Sequence, residues 1–285
     1  MTLPNFLGIG AQRAGTTWLH AQMRSHPEVY LPRRRKELHF FDRYYERGLE
    51  WYETCFPRAD QSPGVRWMGE ITPMYLYDPR VPRRIKEHLP DCRFLAILRN
   101  PADRAYSQYA HHVQNKGEER NFRDFLAAEE DVFGRGLYYR QLRRYMDLFP
   151  GENFLVLIFE EVMKDPAGAL GELANFLGIQ PGGFDSNLVG RKVNPSYRSR
   201  FGKVGSVVRN WGEFLRRSDL DWVINAAKAL GLRGIFGNAG ELPRMSPEVR
   251  RELLERYDAD MAALEGLLRK DLSVWRNPVS QDRGR

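Results

Sequence analysis

The chain has 285 residues, 42% of them hydrophobic and 28% charged, with 44 Lys and Arg against 37 Asp and Glu for a net charge of +7. That length and apolar share exclude a disordered or fibrous chain and suit one large α/β domain over residues 1–285, while the excess of cations favours anionic partners. Two widely separated cysteines, Cys55 and Cys92, and six histidines without metal-ligand spacing argue against a disulfide framework and a metal site. In chain order, Met1 to Asn5 carry neither a basic run nor a long apolar stretch, which predicts a cytoplasmic protein with no transmembrane segment. Phe6-Leu7-Gly8-Ile9 predicts a strand, and Thr17-Trp18-Leu19-His20 onward a helix ending near His26-Pro27.

Between them lies Gly10-Ala11-Gln12-Arg13-Ala14-Gly15-Thr16-Thr17. A glycine-rich turn from a strand into a helix aims backbone N–H groups and the positive helix end at one point, so an anion site is expected there. Gly10, Gly15 and Thr17 fit the nucleotide-binding pattern G-x-x-x-x-G-K-[ST], but Thr16 occupies the lysine position and Arg13 is the cation. Loss of that lysine removes a main charge contact to the terminal phosphates of a nucleoside triphosphate. A P-loop nucleotide kinase and a non-catalytic nucleotide- or glycan-binding protein both stay open as alternatives.

Arg33-Arg34-Arg35 then precedes Lys36-Glu37-Leu38-His39-Phe40-Phe41-Asp42. Taken as residues alone, Glu37 neutralises the basic run and His39 is a core histidine beside two phenylalanines. Gly69 to Tyr77 reads as a strand ending in a proline turn, and Phe94 to Leu98 as a buried strand. After it, Asn100 and Pro101 form a helix start behind Arg99, making a second anion site. Gly136 to Tyr145 predicts a helix, Phe154 to Phe159 a central parallel strand, and Asp165-Pro166 the start of another helix. This alternation predicts an α/β fold of P-loop-like type, three α/β/α layers around a parallel sheet, with its core at about 5–196. A helical lid or extension is expected at about 197–240. Ser246 and Pro247 open a last helix, to about 270, whose Val249, Leu253, Tyr257, Met261, Leu264 and Leu268 should pack on the sheet. Basic pairs are scattered rather than gathered in one stripe, so nucleic acid is not an expected partner.

From about Asn5 to Gly178 these motifs resemble the sulfotransferases that use 3'-phosphoadenosine 5'-phosphosulfate (PAPS), in the branch that includes heparan sulfate enzymes and bacterial relatives. The resemblance implies that Gln12, Arg13, Ala14, Gly15, Thr16, Thr17 and Trp18 hold the donor's 5'-phosphosulfate, with arginine where lysine is commoner. It assigns Arg99 and Ser107 to the 3'-phosphate, and Arg191 and Lys192 to a late basic loop over the same group. It makes Glu37 the general base, with Lys36, Arg13 and His39 stabilising charge on the transferring group. A carboxylate suits that role, because a hydroxyl or amine must lose a proton as it bonds to sulfur. Glu70, Thr72 and Tyr75 are implied at the acceptor side. The implied partners are PAPS, its product adenosine 3',5'-bisphosphate (PAP), and a glycan, glycolipid or small-metabolite acceptor, with no metal.

Overall fold

The structure, a computed structural model, describes residues 3–188 and 245–276. They fall into two compact units: 3–104, 135–188 and 252–276 in the first, 105–134 and 245–251 in the second. The first unit holds strands β1 (Phe6–Gly10), β2 (Val29–Tyr30), β3 (Trp67–Ile71), β4 (Arg93–Leu98) and β5 (Phe154–Ile158), all parallel, in the order β2-β3-β1-β4-β5. The helices of the described residues are α1 (Thr16–Ser25), α2 (Phe40–Arg43), α3 (Gly48–Glu53), α4 (Val81–His88), α5 (Pro101–Lys116), α6 (Phe122–Ala128), α7 (Glu130–Gly134), α8 (Tyr138–Met146), α9 (Phe159–Lys164), α10 (Pro166–Leu177), α11 (Pro247–Leu268) and α12 (Ser273–Arg276).

Alternation along β4 builds the layers. Leu95 and Ile97 join a core with Leu19 and Met23 of α1 and Leu170, Leu173 and Leu177 of α10. Phe94 points the other way, stacking on Phe154 of β5 and meeting Tyr145 of α8 edge-on. Successive side chains on a strand face opposite sides, so a parallel sheet covered by helices on both faces needs apolar residues at every position. The expected three-layer α/β/α fold around a parallel sheet is therefore the observed one.

The strand order reverses direction between β1 and β4, and in such sheets ligands bind beyond the carboxyl ends of the strands at that point. Ala11, just after β1, is tied to β4 there by its N–H donating to Ile97 O at 2.7 Å. Asn100 caps α5 as expected, its Oδ1 accepting from Ala102 N and Asp103 N. Its amide also donates to Trp275 O, while Glu160 accepts from Asn100 N and from the Trp275 indole, so α12 anchors the strand end that carries Arg99. Asp165 caps α10 and Ser246 caps α11, again as expected. The predicted α11 stripe buries Leu253, Tyr257, Met261 and Leu264, whereas Val249 and Leu268 are half-buried.

In the second unit, Tyr106, Tyr109 and His112 of α5 pack against Phe122 and Phe125 of α6, which Asn121 caps. Among the described residues no helix is long and apolar enough to cross a membrane. The expected extension at 197–240 and the loop carrying Arg191 and Lys192 lie outside the described residues.

Candidate active site

The loop after β1 takes a left-handed backbone at two positions, Arg13 (φ 69) and Gly15 (φ 97). That alternation folds successive N–H groups around a concavity suited to an anion. Gly15 must be glycine, since a Cβ there would be strained at positive φ and would sit 2.8 Å from the Phe159 ring. As N-cap of α1 it supplies no side-chain acceptor, and the first turn holds no acidic residue. Trp18 N donates to Gly15 O at 2.9 Å, and helix geometry leaves the N–H groups ahead of it pointing outward with the dipole's positive charge. Burial, then Arg99, then Arg104 push the Arg13 guanidinium below its ordinary pKa. Arg13 thus lies within the electrostatic reach of two further arginines, of which Arg104 is fully buried. Arg99 stacks its guanidinium over Phe159 with a 4.9 Å separation, and its Nη1 lies 3.5 Å from Arg13 O.

A second cluster borders the first. Lys36 Nζ donates to Thr17 Oγ1 at 2.8 Å and lies 3.7 Å from Glu37 Oε1. Glu37 Oε2 is 3.3 Å from His39 Nε2, whose Nδ1 is 2.9 Å from Asp42 Oδ2. With a carboxylate at each ring nitrogen, the imidazole is held as a double donor. Burial works against that cation, but the bonds to Asp42 and Glu37 raise the His39 pKa to about 9. For Glu37, burial favours the neutral acid, but His39 and Lys36 outweigh it and hold the carboxyl below its ordinary value. The side chain keeps 34% of its surface exposed, so this carboxylate is ionised, oriented and reachable. His20, one turn into α1, is pushed down to about 4 by burial and then by Lys36 and Arg24, leaving it neutral near the same lysine.

Beneath the segment carrying Glu37 and His39 sits a buried polar hub. Glu70 Oε1 accepts from Tyr75 at 2.6 Å and from Tyr52 at 2.9 Å; Oε2 accepts from the Thr72 hydroxyl and from Leu38 N at 3.2 Å. Burial raises the Glu70 carboxyl against those four donors.

The profile of the sulfotransferase domain matches residues 3–192. The chain belongs to the sulfotransferase family. It is 35% identical over 185 residues to human heparan sulfate glucosamine 3-O-sulfotransferase 6, an alignment covering 62% of this chain and 53% of that protein. Human bifunctional heparan sulfate N-deacetylase/N-sulfotransferase 3 is 29% identical over 198 residues, covering 63% of this chain and 23% of its own length. The chain thus spans about half, or less, of these curated relatives. The crystal structure of a sulfotransferase from Alicyclobacillus acidocaldarius superposes with a TM-score of 0.70 at 28% identity, over 97% of this chain and 100% of that one.

In this member of the family, Arg13, Gly15, Thr17, Lys36, Glu37, His39 and Arg99 gather in the first unit around the loop after β1 and the Glu37 carboxylate. Gln12 Oε1 accepts from Arg135, whose guanidinium lies over Tyr77, so it ties the loop to the protein. Ala14 and Thr16 are buried, leaving the loop's backbone as what Ala14 can offer. Trp18 is placed differently from expectation: it is 4% exposed and packs in the core with Leu19 and Met23. Glu70, Thr72 and Tyr75 also depart from expectation. All three are 0% exposed and bonded to one another, out of reach of an acceptor, because the segment at 38–41 closes over them. Ser107 lies half-buried on α5 in the second unit. Sequence reading misses Asp42, Arg104 and Tyr52. His39 and Asp42 stand three apart, a spacing that pairs side chains on one helical turn and was available as a signal.

Proposed function

We propose that this chain catalyses PAPS-dependent sulfuryl transfer to a hydroxyl or amine of a carbohydrate-like or small-molecule acceptor, with Glu37 as the general base. One observation carries the reading: Lys36 bridges Thr17, at the open N-terminus of α1, and the Glu37 carboxylate, so one cation joins the anion site to an ionised, accessible base. The residues present fit the donor. Arg13 feels the positive charge of Arg99 and Arg104, and the loop N–H groups suit the donor's sulfated phosphate.

When bound, PAPS supplies a sulfuryl group already linked to phosphate. Glu37 takes the proton from the acceptor hydroxyl or amine as the new bond to sulfur forms. His39, itself fixed by Asp42, keeps Glu37 oriented and ionised. Lys36 and Arg13 neutralise charge on the sulfuryl oxygens and on the phosphate oxygen that departs. Arg99 would hold the 3'-phosphate and so help to orient the donor. The relatives' names speak of glucosamine 3-O- and N-sulfation, supporting a sugar hydroxyl or amine as acceptor. Exposed Arg33 and Arg34 immediately before the base favour an acidic one.

Thermal-shift titration tests the reading. PAP without metal should raise the unfolding temperature in proportion to its binding, while ATP with Mg²⁺ should do far less. Equal responses, or none to PAP, would reject it.

A further inference from the structure

Three backbone N–H groups next to the base, those of Leu38, His39 and Phe41, lead to one buried carboxylate. Leu38 N donates to Glu70 directly. His39 N donates to Thr72 Oγ1 at 3.3 Å, and that hydroxyl in turn donates a hydrogen bond to Glu70. Phe41 N donates to Tyr75 Oη at 3.3 Å, and that hydroxyl likewise donates to Glu70. Tyr52 fills the remaining acceptor site. A carboxylate has about four lone-pair sites and no donor, so this pattern is complete only with Glu70 as acceptor throughout. The bonds also hold an uncommon conformation: His39 has φ 56, in the left-handed region that few residues other than glycine adopt.

We propose that Glu70, through the Thr72 and Tyr75 hydroxyls, is a positioning residue that holds the 38–41 backbone so that His39 reaches Glu37 and Asp42 at once. The inference rests on Glu37 being the base. β3, which carries Glu70, is an interior strand paired on both sides, so the hub gives a short irregular segment the rigidity of the sheet. The groups acting on His39 are Glu37, Asp42 and Arg43, and only correct placement of its ring brings both carboxylates within bonding distance.

The test compares Thr72→Val, which keeps the shape and deletes the hydroxyl, with Thr72→Ser, which restores it. Three quantities are read: kcat with PAPS and a desulfated heparan sulfate oligosaccharide, PAP affinity by calorimetry, and the His39 titration by NMR of the labelled imidazole. T72V should lower kcat by roughly 30-fold and move the His39 titration down by about one pH unit or more, with PAP affinity unchanged within about twofold. T72S should return both within about threefold of wild type. Tyr75→Phe, which cuts the other hydroxyl bridge, carries the same expectation and takes the place of T72V should that variant not fold. Unchanged kcat and His39 titration in T72V would overturn the proposal, as would equal losses in T72V and T72S. A wild type that transfers nothing to the oligosaccharide, with the His39 titration still lowered in T72V, would support the positioning role while removing the proposed acceptor.

Discussion

Raising the pH through the His39 titration should weaken the fold, and the size of that loss follows from the two carboxylates at its ring. The folded-state value of about 9 exceeds the ordinary 6.5, because the bonds to Asp42 and Glu37 overcome the burial that opposes the charge. A raised folded-state value means the charged form is favoured by folding. Its stabilisation is fully present below about pH 6.5 and is lost as the pH climbs through about 9. At about 1.4 kcal/mol per pH unit, the interval amounts to about 3 kcal/mol. The side chain is only 15% exposed, so solvent screening takes little from that figure. Urea unfolding of wild type and His39→Asn at about pH 6 and about pH 9.5 isolates the effect, because other alkaline titrations cancel in the difference. Asn tolerates the left-handed backbone at this position, so the variant removes the charge without adding strain. Wild type should be the more stable at the lower pH by up to about 3 kcal/mol, with the gap mostly closed at the higher one. A gap that stays constant across that range would refute the reasoning.

Glu37→Gln should slow sulfuryl transfer by roughly 10²-fold or more while PAP affinity, measured by calorimetry, stays near wild type; a variant as fast as wild type would remove Glu37 as base. Arg99→Ala should weaken PAP binding by about 2 kcal/mol, since a phosphate loses a charge-assisted partner; unchanged calorimetric affinity would reject the assignment. Gly15→Ala places a Cβ 2.8 Å from Phe159 at φ 97 and should lower stability by roughly 1–3 kcal/mol, with PAP binding falling as the loop distorts. Circular dichroism melts with and without PAP check both parts, and a variant matching wild type in each would show that the loop does not need its left-handed turn.

The features legible in the chain's order of residues are those whose cause is local. Phe6 to Gly10, the glycine turn and α1 are neighbours in sequence, so strand, anion loop and open helix end could be recognised together. The caps at Asn100, Asp165 and Ser246 depend on side chains bonding N–H groups two or three residues ahead, again a local matter. The two-residue β2 and the four-residue α2 left no periodic signal because each is shorter than the pattern that would reveal it. Glu37 was reached through family resemblance, since a glutamate after a basic run reads equally well as charge balance.

Asp42, Arg104 and the roles of Glu70, Thr72 and Tyr75 belong to a different class. Gly-Glu-Ile-Thr-Pro-Met-Tyr at 69–75 offers polar side chains whose alternation along a strand does not say what covers them. Once 38–41 closes over that strand, the same groups become acceptors for its backbone rather than contacts for an acceptor molecule. Trp18 was drawn away from the loop in the same way, by Leu19, Met23 and the core they join. Motif chemistry is written in consecutive residues and survives as a local cause; burial is set by which distant segments meet, and it decides whether a polar side chain serves the ligand or the fold.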